Sequence, residues 1–295
     1  MPIVLMLTLG VGVCGATAEE RLVSVSLEHG HDLHGCIFFP DASGSGRLPA
    51  VIVATGAGGT KLIQYREYCR NLSKQGFAAL LVDGSNYPEY LTPGPDTWRR
   101  MPYHIWSWVN HFTVAIALAF DHRWYIRNIR EAVDYLYANP KIIRSKIGLS
   151  GFSQSANAVL AEASEDSRVR CVVWNNGGWP WIMPYEPKRL PPVLIFHGED
   201  DGVYNVKYAH NLADELKAAG KDYECHVYPH QRHMFTIYYE LNQPPEARNP
   251  ALISSFHRLV GFLDRVLRNN VSSPEPSHRA HSANGLGLES MKGRR

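Results

Sequence analysis

Apolar and polar positions fall into two kinds of run along the chain. In RLVSVSLEHGHDLHGCIFFP (21–40) they alternate on both sides of a glycine-containing turn, which predicts an antiparallel hairpin. Further on, PAVIVATGAGG (49–59), FAALLVDG (77–84), KIGLS (146–150), RVRCVVWNNGG (168–178) and PPVLIFHGEDD (191–201) each begin as a buried strand and break into a loop. YECHVYP (223–229) reads as one more strand. Helical spacing fills the intervals. It predicts helices over Tyr65–Lys74 with Gly76 as the stop, Ala115–Ala138 ending at Asn139-Pro140, a helix opened by GFSQSA (151–156), Val206–Ala219 closed by Gly220, and Leu252–Leu267. Strands that alternate with helices, each strand buried on both sides, predict one α/β domain. Its central sheet is mostly parallel with helices on both faces, and the N-terminal hairpin is antiparallel. In such sheets the chemistry sits at the carboxyl ends of the strands, so the residues just after each strand matter most.

The chain of 295 residues suffices for a sizeable core. A net charge of +2 and the absence of a basic stripe speak against a nucleic-acid partner. The ends differ from the rest. Residues 1–18 carry an apolar stretch, Ile3 to Val13, then Ala16-Thr17-Ala18, the pattern of a signal peptide cleaved after Ala18. The n-region has no Lys or Arg, and a buried first strand is the alternative. The run is too short for a transmembrane helix, so no stable membrane insertion of the mature chain is expected. That chain would be secreted or periplasmic, and cytoplasmic if the segment is a strand. Residues 269–295 are Ser-, Pro- and His-rich without periodicity and read as a disordered tail, which leaves 19–268 as the folded domain. Cys36, Cys69, Cys171 and Cys225 would remain after cleavage, as disulfides or as free core thiols.

Three strand ends carry chemistry. Ser153 follows KIGLS, Asp200 and Asp201 follow VLIFH, and His230 and His233 follow YECHVYP. A serine hydroxyl is a poor nucleophile without a base in reach. Histidine can take its proton and return it to a leaving group. A carboxylate fixes the imidazole tautomer and stabilises the imidazolium. The order Ser, Asp, His is that of an α/β-hydrolase triad. Ser153 as a mere helix cap is the bland alternative.

With these segments in view the chain, from about Arg21 to Leu267, resembles the α/β-hydrolase superfamily and, within it, the dienelactone-hydrolase-like branch. GFSQSA is similar to the nucleophile elbow, with Ser155 where glycine is usual. HGEDDGVYNVKYAHNLADEL resembles an H-G-x-x-D segment, which implies Asp201 as the acid. VYPHQRHMF resembles Y-P-x-x-x-H-x-F, which implies His233 as the base. VATGAGG stands where many relatives read H-G-x-G-G, with Thr55 in place of the His. The match implies an oxyanion hole from the backbone N–H groups of Ala57 and Gln154. It also implies an α/β-hydrolase fold over 19–268, an acyl-enzyme on Ser153, and no cofactor. The substrate would be a small molecule of ester type: a carboxylic ester, a lactone or a thioester. A prolyl-oligopeptidase-like peptidase, an acyltransferase, or a silent hydrolase-like binding protein are the alternatives.

Two aromatic insertions bear on the substrate. Trp98, Trp106 and Trp108 lie in the first and Trp179 and Trp181 in the second, as an apolar pocket or as a satellite core under a long loop. Asn175 and Asn176 offer polar contacts near the serine. His29, His31 and His34 sit in the hairpin turn and read as solvated, and no H-E-x-x-H is present, so no metal is expected. Nothing in the pattern sets an oligomeric state.

Overall fold

A computed structural model describes residues 19–26, 32–40, 46–56, 63–83, 123, 125–178, 180, 183–237 and 249–269. The expected signal peptide (1–18) and all but Asn269 of the expected tail (269–295) lie outside the described residues, as do residues 115–122 and 124 of the expected second helix. Eight strands form one sheet: β1 (Glu19–Ser26), β2 (Asp32–Phe39), β3 (Leu48–Ala54), β4 (Ala78–Val82), β5 (Ile142–Phe152), β6 (Val169–Asn175), β7 (Val193–Gly198) and β8 (Tyr223–Tyr228). Their order is β1-β2-β4-β3-β5-β6-β7-β8. β1 and β2 pair as the antiparallel hairpin and β2 runs antiparallel to β4, while every pair from β4 through β3 to β8 is parallel. This is the predicted α/β architecture with its N-terminal hairpin.

Alternation at period two explains the layers. Ala50, Ile52 and Ala54 of β3 pack with Ala78, Leu80 and Val82 of β4 on one face, and Val51, Val53, Ala79 and Leu81 pack on the other. Helices α2 (residues 125–138), α3 (Gln154–Glu165) and α4 (Lys207–Ala218) contribute to the first core. Helices α1 (Ile63–Lys74) and α5 (Pro250–Leu263) contribute to the second. Covering both faces turns nearly every residue of the central strands β3, β4 and β7 into core, which is why those runs are apolar throughout.

Two helices begin two residues earlier than the sequence pattern predicts. α1 starts at Ile63, a residue left 53% exposed, so it adds nothing to the apolar stripe that marks Tyr65 onward. α5 starts at Pro250 under an Asn249 cap, whose side chain accepts from the Ala251 N–H at 2.9 Å, and it ends at Leu263 in a π-turn over Asp264–Arg268. The four described cysteines are free, and Cys36, Cys69 and Cys171 are buried in the second core. Burial pushes the Cys171 thiol up to about 12, out of the range of a thiolate at neutral pH. Among the described residues no helix is long and apolar enough to cross a membrane.

Candidate active site

One residue separates β5 from α3. Ser153 takes φ 55 and ψ −118, a conformation that is costly for a residue with a side chain. Its surroundings hold it there. The Ser153 N–H donates to the Asn175 carbonyl at 2.9 Å, across to β6. Gly151 lets α3 fold back on the strand, since a Cβ there would run into the Ser155 carbonyl, Ala156 and Val159. Ser155, the departure from the usual glycine, is buried and its hydroxyl donates to the Thr55 carbonyl at 2.5 Å. The extra Cβ is thus matched by a bond tying the start of α3 to the end of β3. The Ser153 hydroxyl makes no capping bond to α3, so it is free for other chemistry.

That hydroxyl meets His233. Ser153 Oγ lies 3.1 Å from His233 Nε2, and His233 Nδ1 lies 2.7 Å from Asp201 Oδ2. An ionised carboxylate only accepts, so Nδ1 carries the proton and Nε2 is left to accept from the serine. The Asp201 side chain is wholly buried. Its Oδ1 accepts from the Val203 and Tyr204 N–H groups at 2.8 and 2.9 Å, and Asn176 Nδ2 donates to Oδ2 at 3.1 Å. Burial alone would raise this carboxyl, but the bond and charge of His233, with the two N–H groups, outweigh it and hold it below its ordinary value. The neighbours Asp200 and His230 face each other on the surface instead, 3.7 Å apart, with side chains 58% and 88% exposed.

Next to Ser153 runs the end of β3. A Cβ on Gly56 would stand 2.8 Å from Ser153 Cβ, so only glycine allows this approach. The Gly56 N–H is already donated to Tyr65 Oη at 2.8 Å. Gln154 opens α3, and the first N–H groups of a helix have no intrahelical acceptor. Its side chain is held by Tyr125, whose hydroxyl donates to Gln154 Oε1 at 3.1 Å. Ala57 lies outside the described residues, and so do Trp98, Trp106, Trp108, Trp179 and Trp181.

Asn175 departs from its expected place on the substrate side. It is wholly buried, its Nδ2 donates to the Gly151 carbonyl at 3.1 Å, and its Oδ1 accepts from Thr236 Oγ1 at 3.3 Å. The side chain is consumed in joining β5 to the loop after His233, which removes it from any pocket. His197 in β7, which sequence reasoning did not single out, is buried beside Asp201, with Nε2 3.5 Å from Oδ2, and is stacked on Trp174. A separate cavity of about 120 Å³ lies farther down α3, lined by Asn157, Trp174, Tyr185, Tyr208 and Glu215, and it touches none of Ser153, Asp201 and His233.

A parallel sheet with a strained serine at the end of β5, and with an aspartate and a histidine after later strands, defines an α/β hydrolase. The chain belongs to the dienelactone hydrolase family, whose model matches residues 33–265. Solved structures share the fold at low identity. A dienelactone hydrolase-like promiscuous phosphotriesterase from metagenomic libraries is 20% identical, with 85% of this chain and 99% of that one covered and a TM-score of 0.64. An esterase of Pyrobaculum calidifontis is 15% identical over 83% of this chain and 85% of its own, with a TM-score of 0.62. For the acylaminoacyl peptidase of Pyrococcus horikoshii the identity is 14%, with 88% of this chain but 43% of that one covered, and the TM-score is 0.63. No curated protein matches the chain in sequence.

Proposed function

We propose that the protein is a serine hydrolase that cleaves a carboxylic ester, a lactone or a thioester through an acyl-enzyme on Ser153. The carrying observation is the unbroken chain Ser153 Oγ, His233, Asp201, at 3.1 and 2.7 Å, from a serine held at positive φ. In this reading Ser153 Oγ attacks the carbonyl carbon while its proton passes to His233 Nε2. The carbonyl oxygen becomes an oxyanion, held by the N–H groups of Gln154 and Ala57, each worth about 3–4 kcal/mol of barrier. Gly56 is not the donor, because its N–H is bonded to Tyr65. As the oxyanion collapses, the bond to the leaving alkoxide or thiolate breaks and Nε2 returns the proton to it. Water then attacks the acyl carbon, gives its proton to Nε2, and the acid leaves Ser153 with its hydroxyl restored. Asp201 stays ionised throughout and stabilises the imidazolium.

The test is a panel of p-nitrophenyl esters of rising chain length, with lactones and acyl-CoA thioesters added. Ser153→Ala should remove turnover on every substrate cleaved. Asp201→Asn should lower kcat by about 10⁴, through the wrong imidazole tautomer. Asp200→Asn should stay near the parent, since Asp200 lies at the surface away from His233. Near-normal turnover by Ser153→Ala, or Asp200→Asn as the worse of the two, contradicts the assignment.

A further inference from the structure

In the sheet, β6 runs between the strand that delivers Ser153 and the strand that precedes Asp201. Its end therefore stands between nucleophile and acid, and the residue there is Asn176. Its backbone has φ 48, a left-handed conformation that asparagine tolerates better than most residues, and its N–H donates to the Phe196 carbonyl of β7 at 2.9 Å. The side chain is wholly buried, with Nδ2 on Asp201 Oδ2 at 3.1 Å, the oxygen that accepts the hydrogen bond of the His233 Nδ1–H. Its Oδ1 has no hydrogen-bond partner among the described residues. A buried amide that leaves its acceptor empty to keep its donor on one carboxylate oxygen needs a reason.

We propose that Asn176 is a positioning residue of the reaction put forward above, on which this inference rests: its amide fixes Asp201 Oδ2 in line with His233 Nδ1. With Val203 and Tyr204 on Oδ1, a donor on Oδ2 besides the imidazole removes the carboxylate's freedom to turn away when His233 swings toward a leaving group. Among the described residues, His233, His197 and Tyr204 are the titratable groups near this carboxylate. His233 comes from the loop after β8, and Tyr204 sets its ring edge against that imidazole with centroids 5.6 Å apart. His197 comes from β7, with its Nε2 2.9 Å from the Tyr204 carbonyl, and burial lowers its proton affinity so that it stays neutral.

The experiment needs no natural substrate. The rate of inactivation by a fluorophosphonate is measured against pH for the parent, Asn176→Gly and Asn176→Asp, with a melting curve of each to show that it is folded. Asn176→Gly suits the left-handed backbone and loses only the donor; its rate should fall about tenfold, the size of one hydrogen bond to a charged group. In Asn176→Asp the introduced carboxyl donates to Asp201 while protonated and repels it once ionised. The ratio of its rate to the parent's should therefore fall as pH rises from about 5.5 to 7.5. A merely structural role would lower the rate by the same factor at every pH. If Asn176→Asp does not fold, Asn176→Gly carries the test. With the parent adduct on Ser153, a flat ratio or a glycine variant within about twofold of the parent overturns the positioning role and leaves the hydrolase reading standing. An adduct elsewhere overturns that reading and this inference with it.

Discussion

At Ser155 one hydroxyl decides whether a departure from the common elbow pattern matters. The sequence shows a Cβ where glycine is usual; the structure adds that the Oγ donates to the Thr55 carbonyl. Ser155→Ala should keep most activity and lose about 1 kcal/mol, the net value of one buried bond. Ser155→Val adds a branched methyl in a site with no exposure and should shift Ser153, at a cost of about a hundredfold in kcat per ångström of displacement. Melting curves beside ester kinetics check both, and a fully active valine variant would contradict the tight elbow. Legibility varies residue by residue. Order and spacing along the chain picked out Ser153, and the resemblance of the two later segments preferred Asp201 over Asp200 and His233 over His230. Spacing alone could not do so, because nearby turn residues point in different directions; in the fold one pair faces inward and the other faces solvent. The work of Asn175 and Asn176 was invisible, because both bond across strands whose neighbours are set by sheet order and not by distance along the chain.

At the level of elements, α3 carries an acid that the mechanism does not use. Glu162 is wholly buried and receives a bidentate ion pair from Arg130 of α2, a side chain that is 45% exposed. Burial outweighs the attraction of Arg130 and raises the Glu162 carboxyl to about 7. A folded-state value above the unfolded one means that the fold binds the proton more tightly. This contribution is then complete below about pH 4.5 and is lost as pH rises through 7. The urea midpoint of the parent should therefore decline from pH 5 to 8 relative to Glu162→Gln, which has no such proton. Arg130→Ala should steepen the decline and cost about 2–3 kcal/mol at pH 8, with a buried carboxylate left unpaired. Parallel midpoints across this range would show the pair to be inert. Element ends were less legible than the elements themselves. Asn249-Pro250, a cap followed by a first-turn proline, marks the start of α5, but the apolar stripe placed that start two residues later at Leu252; exposed Ile63 gives α1 no such flag.

On the scale of the whole molecule, apolar runs that fill both faces of a parallel sheet were enough to predict the architecture. The handedness of the chemistry followed, with Ser153, Asp201 and His233 at the carboxyl ends of β5, β7 and β8. The N-terminal hairpin was legible for the opposite reason, as strict alternation around a turn. The pocket expected from the two aromatic insertions was not, because weak periodicity carries no register. In the proposed reaction everything converges on the activation of Ser153. The most direct measurement is labelling of the intact protein with a fluorophosphonate, followed by peptide mapping. The account predicts a single adduct on Ser153, blocked by Ser153→Ala and slowed by His233→Ala. An adduct on Ser155, or no adduct on a folded protein that hydrolyses esters, would contradict it.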